Sequence, residues 1–334
     1  MSSLDSTNIV AIARSLGLES DRAPADAILQ YCEERAEQIL AGYPECTTPA
    51  ELLEHIAAAL GTVFEVVESD EHIREVQTKY AAQGELAFAS LDQELDDGTF
   101  GITIRRKTAG RWEPQLVSVI DARGAKGSRR YFTKWHEIGH LLILSDSLRG
   151  SFERTSHGGA KDPEEVLVDQ IAGHLGYYSR FLLPQIGAAP SLADLERVRS
   201  RMVPEASFHS FVMAYVERHP SPCLLLEATL AEKEDQRALE QSLFDFVEPP
   251  PPKLHVVRST GSATARSAKL AIPRKFPVPE RSVIHKAHIL ELDALDAVEC
   301  LSWWESQGKS LPECPVRVEV RRNAESLFAL MRTL

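Results

Sequence analysis

The run His136-Glu137-Ile138-Gly139-His140 sets two imidazoles four residues apart, with a carboxylate beside the first. On a helix, residues four apart share one face, so both rings can point at a single cation. Glu137 lies one step further round and can reach a metal-bound water without being a ligand. Neutral imidazoles, a carboxylate and an open position for water suit Zn2+. The metal would bring the pKa of that water toward ~7, and Glu137 would take its proton as it attacks a carbonyl. The expected chemistry is metal-assisted hydrolysis of a peptide bond. A surface helix with two solvated histidines is the bland alternative. The flanks argue against it, because Trp135 on one side and Leu141, Leu142, Ile143 and Leu144 on the other demand burial.

A third ligand is needed, and two carboxylates compete. Asp146 lies six residues beyond His140, but without a glycine turn at Ile143 the helix carries it away from the metal. Glu165 lies on the next expected helix, and Glu165-Val166-Leu167-Val168-Asp169 puts two carboxylates four apart on one face. Glu165 is therefore the preferred ligand, with Asp169 placed to fix a histidine ring from behind.

The elements that must position these groups are read from periodicity. Thr48-Pro49-Ala50-Glu51 is a capping box with proline at the first helical position, predicting a helix from about 49 to 60 that stops at Gly61. Thr62 to Glu68 reads as a strand. Phe100, Ile102 and Ile104 alternate with small or polar residues, Thr108-Ala109-Gly110 supplies a turn, and Leu116 to Ile120 returns, which predicts a hairpin. A basic loop, Asp121 to Arg130, then leads to the metal-binding helix, with Thr133 as its expected N-cap and Leu144 as its end. A second helix is expected from Pro163 to Leu182.

Beyond it, helices are expected to start at Ser191/Asp194 and at Pro204/Glu205. Strands are expected at Leu224–Leu226, Leu254–Val257, Lys269–Ile272 and Val316–Val320. The proline run between Glu248 and Lys253 reads as a stiff linker. The expected organisation is α+β. Residues 1–185 form the metallopeptidase domain with a small antiparallel sheet, 190–248 a helical segment, and 253–334 an α+β module that senses or selects substrate.

Arg130-Tyr131-Phe132-Thr133-Lys134-Trp135 leading into the histidine motif, Glu165-x-x-x-Asp169 downstream, and Leu182-Leu183-Pro184 after it resemble the ImmA/IrrE family of metallo-endopeptidases. Val168-Asp169 stands where that family usually has Ala-Asn. The resemblance covers about 1–185 and extends weakly to Met202–Ser207. It implies a zincin-like core and zinc held by His136, His140 and Glu165. It also implies that the substrate is a regulatory protein, a DNA-binding helix-turn-helix repressor being the expected class, cut under stress. The alternative is a non-catalytic regulatory or binding protein built on the same scaffold. The intact Glu137 weighs against it, since a protein without turnover needs no base. A general cytosolic protease is a third reading.

Other candidates carry less. His157, beside Gly158 and Gly159, Tyr131, His174, Tyr177 and Tyr178 are weighed as oxyanion donors, and packing or solvation is the better reading of each. His285 and His288 lack a carboxylate partner.

The 334 residues carry a net charge of −12, which repels phosphate backbones, and the basic stretch Arg258 to Lys275 lacks interleaved aromatics, so nucleic-acid binding is not expected. Five scattered cysteines without a Cys-x-x-Cys pair argue for reduced thiols. With no signal-like N-terminus and no bilayer-length apolar run, the expected location is cytoplasmic.

Overall fold

A computed structural model describes residues 7–18, 23–144, 152–155, 162–187, 189–231, 253–268, 270–306, 308–323 and 326–334. Contacts divide the chain into two units, one of residues 1–182 with 199–207 and one of residues 183–198 with 208–334. No helix among the described residues is long and apolar enough to cross a membrane.

The first unit opens with helices α1 (Thr7–Ser15), α2 (Pro24–Leu40) and α3 (Pro49–Ala59). The capping box at α3 forms as expected, with Thr48 accepting from the Glu51 backbone N–H and the Glu51 carboxylate accepting from that of Thr48. Strand β1 (Thr62–Val67), helices α4 (Asp70–Ala81) and α5 (Leu91–Glu94), and strands β2 (Thr99–Arg105) and β3 (Leu116–Asp121) follow. Then come α6 (Arg130–Ile143), β4 (Phe152–Thr155), α7 (Pro163–Gly176) and α8 (Ser179–Leu182).

The sheet has the order β1-β3-β2-β4. It is mixed rather than wholly antiparallel: β2 pairs antiparallel with β3 and β4, but β1 runs parallel to β3. The parallel pair arises because α4, α5 and β2 intervene between β1 and β3, returning the chain to the same end of the sheet. On one face Ile102, Ile104, Val117 and Val119 pack with Ile73, Val76, Tyr80 and Phe88 from the α4–α5 region. The other face of β2 and β3 meets α6. Covered on both sides, these strands are buried almost residue for residue.

Three helix boundaries differ from expectation. Thr133 is not a cap but an interior residue of α6, because a 3-10 turn over Gly124–Arg129 runs straight into the helix. The basic loop there is folded around buried Asp121, which accepts from Arg123 at 2.9 Å and Lys126 at 2.7 Å. Burial would raise the Asp121 pKa, but these hydrogen bonds hold it below the usual carboxylate range. The helix from Pro163 ends at Gly176, not Leu182. Tyr177 leaves helical geometry there, and the Gly176 carbonyl accepts the Tyr131 hydroxyl at 2.6 Å. Pro204 and Glu205 do not begin a helix. Glu205 instead bonds the nearly buried Lys134 at 2.8 Å and stands 3.7 Å from Arg130, so its role is to clasp α6.

The second unit contains α9 (Leu192–Met202, shared with the first at its end), α10 (Phe208–Arg218), β5 (Cys223–Ala231), β6 (Lys253–Gly261), α11 (Ala263–Ser267) and α12 (Val283–Ile289). Strands β7 (Ala294–Cys300), β8 (Glu305–Ser306), β9 (Lys309–Ser310), β10 (Pro315–Asn323) and β11 (Ser326–Thr333) complete it. Its five-stranded antiparallel sheet has the order β6-β5-β11-β10-β7. The expected boundary between 190–248 and 253–334 therefore does not separate two folding units, since β5 pairs with both β6 and β11. The proline run itself lies outside the described residues. Of the strand expected at Lys269–Ile272, Lys269 lies outside the described residues and residues 270–272 are not in a strand; Leu270 and Ile272 are core residues between elements.

Close approach of α6 and α7 depends on two glycines. A Cβ on Gly139 would lie 2.9 Å from Val168 Cγ1 and 3.4 Å from the Val168 carbonyl oxygen, and one on Gly176 would lie 2.9 Å from the Trp135 ring. Overpacking of this kind typically costs ~1–3 kcal/mol, so Gly139→Ala should unfold at lower denaturant. Adding Val168→Ala should recover part of the loss. Equal midpoints for wild type and Gly139→Ala would show that the helices separate freely.

Candidate metal centre

Helix α6 presents the motif and α7 answers it. Across 3.6 residues per turn, His136 and His140 differ by about 40° in azimuth, and Glu137 stands about 60° from His140 on the other side. The two rings face α7, while the Glu137 carboxylate faces β2. His136, Glu137 and His140 are 0%, 1% and 6% exposed.

His136, His140 and Glu165 form a group able to hold a metal ion, the ligand atoms all lying within 4.8 Å of one another. The Nε2 atoms of His136 and His140 are 3.1 Å apart. Glu165 spans them, one oxygen 3.3 Å from His136 Nε2 and the other 3.2 Å from His140 Nε2. A tetrahedral zinc with bonds of about 2.0–2.1 Å separates its ligand atoms by roughly 3.3 Å, so these separations fit one. The hydrogen bonding agrees. Asp169 Oδ1 lies 2.9 Å from His136 Nδ1. Nδ1–H donates to this carboxylate, which leaves Nε2 as the ring nitrogen that faces Glu165 and a shared ion.

The electrostatics point the same way. Burial pulls the His140 pKa down, but the carboxylates of Glu164 and Glu165 beside it, and the charge of Glu137, raise it to about 9. Burial would raise Glu165, yet its hydrogen bonds to the two histidines hold it far below the usual carboxylate range. Two imidazoles thus sit among four carboxylates, Glu137, Glu164, Glu165 and Asp169. Glu164, 3.7 Å from His140 Nδ1, is a neighbour that the sequence reading missed.

Glu137 is held by a chain of hydroxyls. Its Oε2 accepts from Thr103 at 2.7 Å, Thr103 is 2.7 Å from Ser118, and Ser118 is 3.2 Å from Thr62. Its Oε1 is buried without a hydrogen-bond partner among the described residues. None of these hydroxyl residues was singled out in sequence. The available signal is a hydroxyl at an inward position of an apolar strand: Thr103 between Ile102 and Ile104, Ser118 between Val117 and Val119.

Other residues weighed from sequence are engaged elsewhere or lie outside the description. Tyr131 bonds Gly176, and Tyr177 packs against Tyr131. His174 meets Glu33, and Tyr178 donates to Glu33 and Glu37. His285 and His288 lie on α12 in the second unit. Asp146 and His157 lie outside the described residues.

The His140 shift predicts the pH behaviour of metal-free protein. A pKa raised from 6.5 to about 9 contributes stability that is full below 6.5 and lost as pH rises through about 9. Depression of Glu165 contributes stability that is present above 4.5 and lost as pH falls below it. Chelator-treated protein should therefore melt at steadily lower temperature between pH 6.5 and 9, whereas metal-loaded protein, whose imidazoles are already neutral, should not. Parallel melting profiles for the two forms would contradict this coupling.

No protein-family model matches the chain and no curated protein matches its sequence, so the reading of these residues rests on their geometry and chemistry.

Proposed function

We propose that the chain is a zinc-dependent metallo-endopeptidase of the ImmA/IrrE kind, built on a zincin-like core and working in the cytoplasm. The observation that carries the reading is the convergence of His136, His140 and Glu165 on one point, with Asp169 behind the first ring. Zinc, when bound there, supplies Lewis-acid polarisation of the scissile carbonyl and acidifies the attacking water.

The rest falls to the chain's own residues. His136, His140 and Glu165 hold the ion, and Asp169 fixes the His136 ring and its tautomer. Glu137, buried beside them, is the general base. Its unpartnered Oε1 takes a proton from the attacking water as the new C–O bond forms, and returns it to the amine nitrogen as the C–N bond breaks. The substrate is a regulatory protein, with helix-turn-helix repressors the favoured class on the resemblance of residues 130–142 and 165–169. The net charge of −12 fits a protein substrate better than DNA itself.

Two substitutions separate ligand from base. Glu165→Ala should strip zinc from the purified protein, and Asp169→Asn should weaken zinc binding by ~10–100-fold. Full zinc in Glu165→Ala, by elemental analysis, would remove Glu165 from the ligand set.

Glu137→Gln should keep zinc and fold while cleavage falls by ~10²–10⁴-fold. The decisive experiment replaces the native chain with Glu137→Gln in the source cell and compares proteomes. A protein that accumulates intact, and that wild-type enzyme cuts at one site in vitro, is the substrate. Cleavage at comparable rates by both forms would dismiss Glu137 as the base. Tight binding of a repressor with no cleavage by either form would favour a binding platform.

A further inference from the structure

Three hydroxyls in the core of the first unit run in series to one carboxylate oxygen, and their direction can be deduced. An ionised carboxylate only accepts hydrogen bonds. Thr103 Oγ1 must therefore donate to Glu137 Oε2, 2.7 Å away. Its single proton spent, Thr103 must accept from Ser118, also at 2.7 Å, and Ser118 in turn accepts from Thr62 at 3.2 Å. Thr103 and Ser118 are direct cross-strand partners on β2 and β3, and all three residues are buried. Each hydroxyl costs stability at a position where valine would pack, unless it is bonded. Satisfied in series, the chain holds its terminal donor in one orientation.

The other carboxylate oxygen is treated in the opposite way. Gly101 lies two residues before Thr103, hence on the same face of β2. A Cβ there would come 2.9 Å from Glu137 Oε1. The missing side chain leaves room for this oxygen, which is buried and has no hydrogen-bond partner among the described residues. One oxygen is pinned and the other is kept clear. A buried acceptor left open beside a metal-binding group is costly unless something is meant to hydrogen-bond it.

We infer that Thr103 is a positioning residue for Glu137: its hydroxyl, oriented by Ser118, clamps Oε2 and presents Oε1 as the oxygen that meets the proton of the attacking water. This rests on the reading of Glu137 as the base. Thr103 touches neither metal nor substrate, and acts only by fixing rotation of the Glu137 carboxylate. Replacement by valine keeps the volume and removes the donor, while replacement by serine keeps the donor.

The test uses zinc-loaded full-length protein and acetohydroxamic acid, a small chelator whose hydroxyl hydrogen-bonds a carboxylate beside the metal. Binding is measured by calorimetry, with zinc content and melting temperature taken for each variant. Loss of a charge-assisted hydrogen bond that fixes the acceptor should weaken binding by about tenfold in Thr103→Val, leaving Thr103→Ser within roughly twofold of wild type and zinc content unchanged in both. Ser118→Ala, which frees the Thr103 hydroxyl to rotate, should weaken binding in the same direction but less. It also serves as the second arm if Thr103→Val fails to fold. Glu137→Gln, run in parallel, should bind weakest. If Glu137→Gln is weakened but Thr103→Val and Ser118→Ala bind like wild type, the positioning role is overturned and the base survives. Thr103→Ser as weak as Thr103→Val would assign the effect to packing of the methyl group and overturn the inference too. If Glu137→Gln binds as tightly as wild type, or wild type does not bind at all, the reading of Glu137 beside an open zinc site falls, and this inference falls with it.

Discussion

Contact between Gly139 and Val168 sets the distance between α6 and α7, and the metal centre depends on that distance. A carboxylate on one helix meets a lone pair on another only over a narrow range of separations. Glu165 must span two Nε2 atoms at 3.3 and 3.2 Å while Asp169, one turn on, reaches the far side of His136 at 2.9 Å. A methyl group at position 139 would push α7 outward by part of an ångström and spoil both contacts. Trp135 against Gly176 fixes the other end of the same interface, so the two helices are matched along their length.

The sheet makes a complementary demand. Its face toward α6 carries Gly101, Thr103 and Ser118 where an ordinary core would carry valine or isoleucine, and its other face is conventionally apolar. Thr103 and Ser118 on the α6 side thus hold Glu137, beside buried Leu116 and Ile120 on the same face. Lys134 and Arg130, bound to Glu205, secure the outer flank of the same helix. Helix α6 is thus held from three directions, which suits a helix that must place three polar side chains in a dry interior.

What could be read from the chain follows the range of the interaction concerned. The Thr48–Glu51 capping box, the β2–β3 alternation and the His136/His140 spacing are all local patterns, so their geometry is implicit in a few consecutive residues. Glu165 and Asp169 were legible for the same reason, as an i,i+4 pair whose face is apolar. Thr103 was not, because a hydroxyl in a strand acquires meaning only when the register with Ser118 and the crossing of α6 are known. The Thr133 cap failed because propensity was read without the 3-10 turn preceding it. Strand β7 reads Ala-Leu-Asp-Ala-Val-Glu-Cys, a helix-like composition, and is extended only because β10 pairs with it. The proline run suggested a domain border because local stiffness resembles one, yet β5 and β6 on either side of it are hydrogen-bonded neighbours.

The strand order of the second unit bears on how the chain acquires its fold during synthesis. Strand β11, from Ser326, lies at the centre of the sheet between β5 and β10. Strand β5 is therefore translated about a hundred residues before the partner that covers its second edge, whereas β10 directly precedes it. Until β11 arrives, the nascent chain shows an unsatisfied edge on the strand bearing Leu224 and Leu226. The first unit, complete once residues 199–207 have emerged, can settle much earlier. Chaperone dependence and the sensitivity to premature termination should thus belong to the second unit rather than to the unit that holds His136, His140 and Glu165.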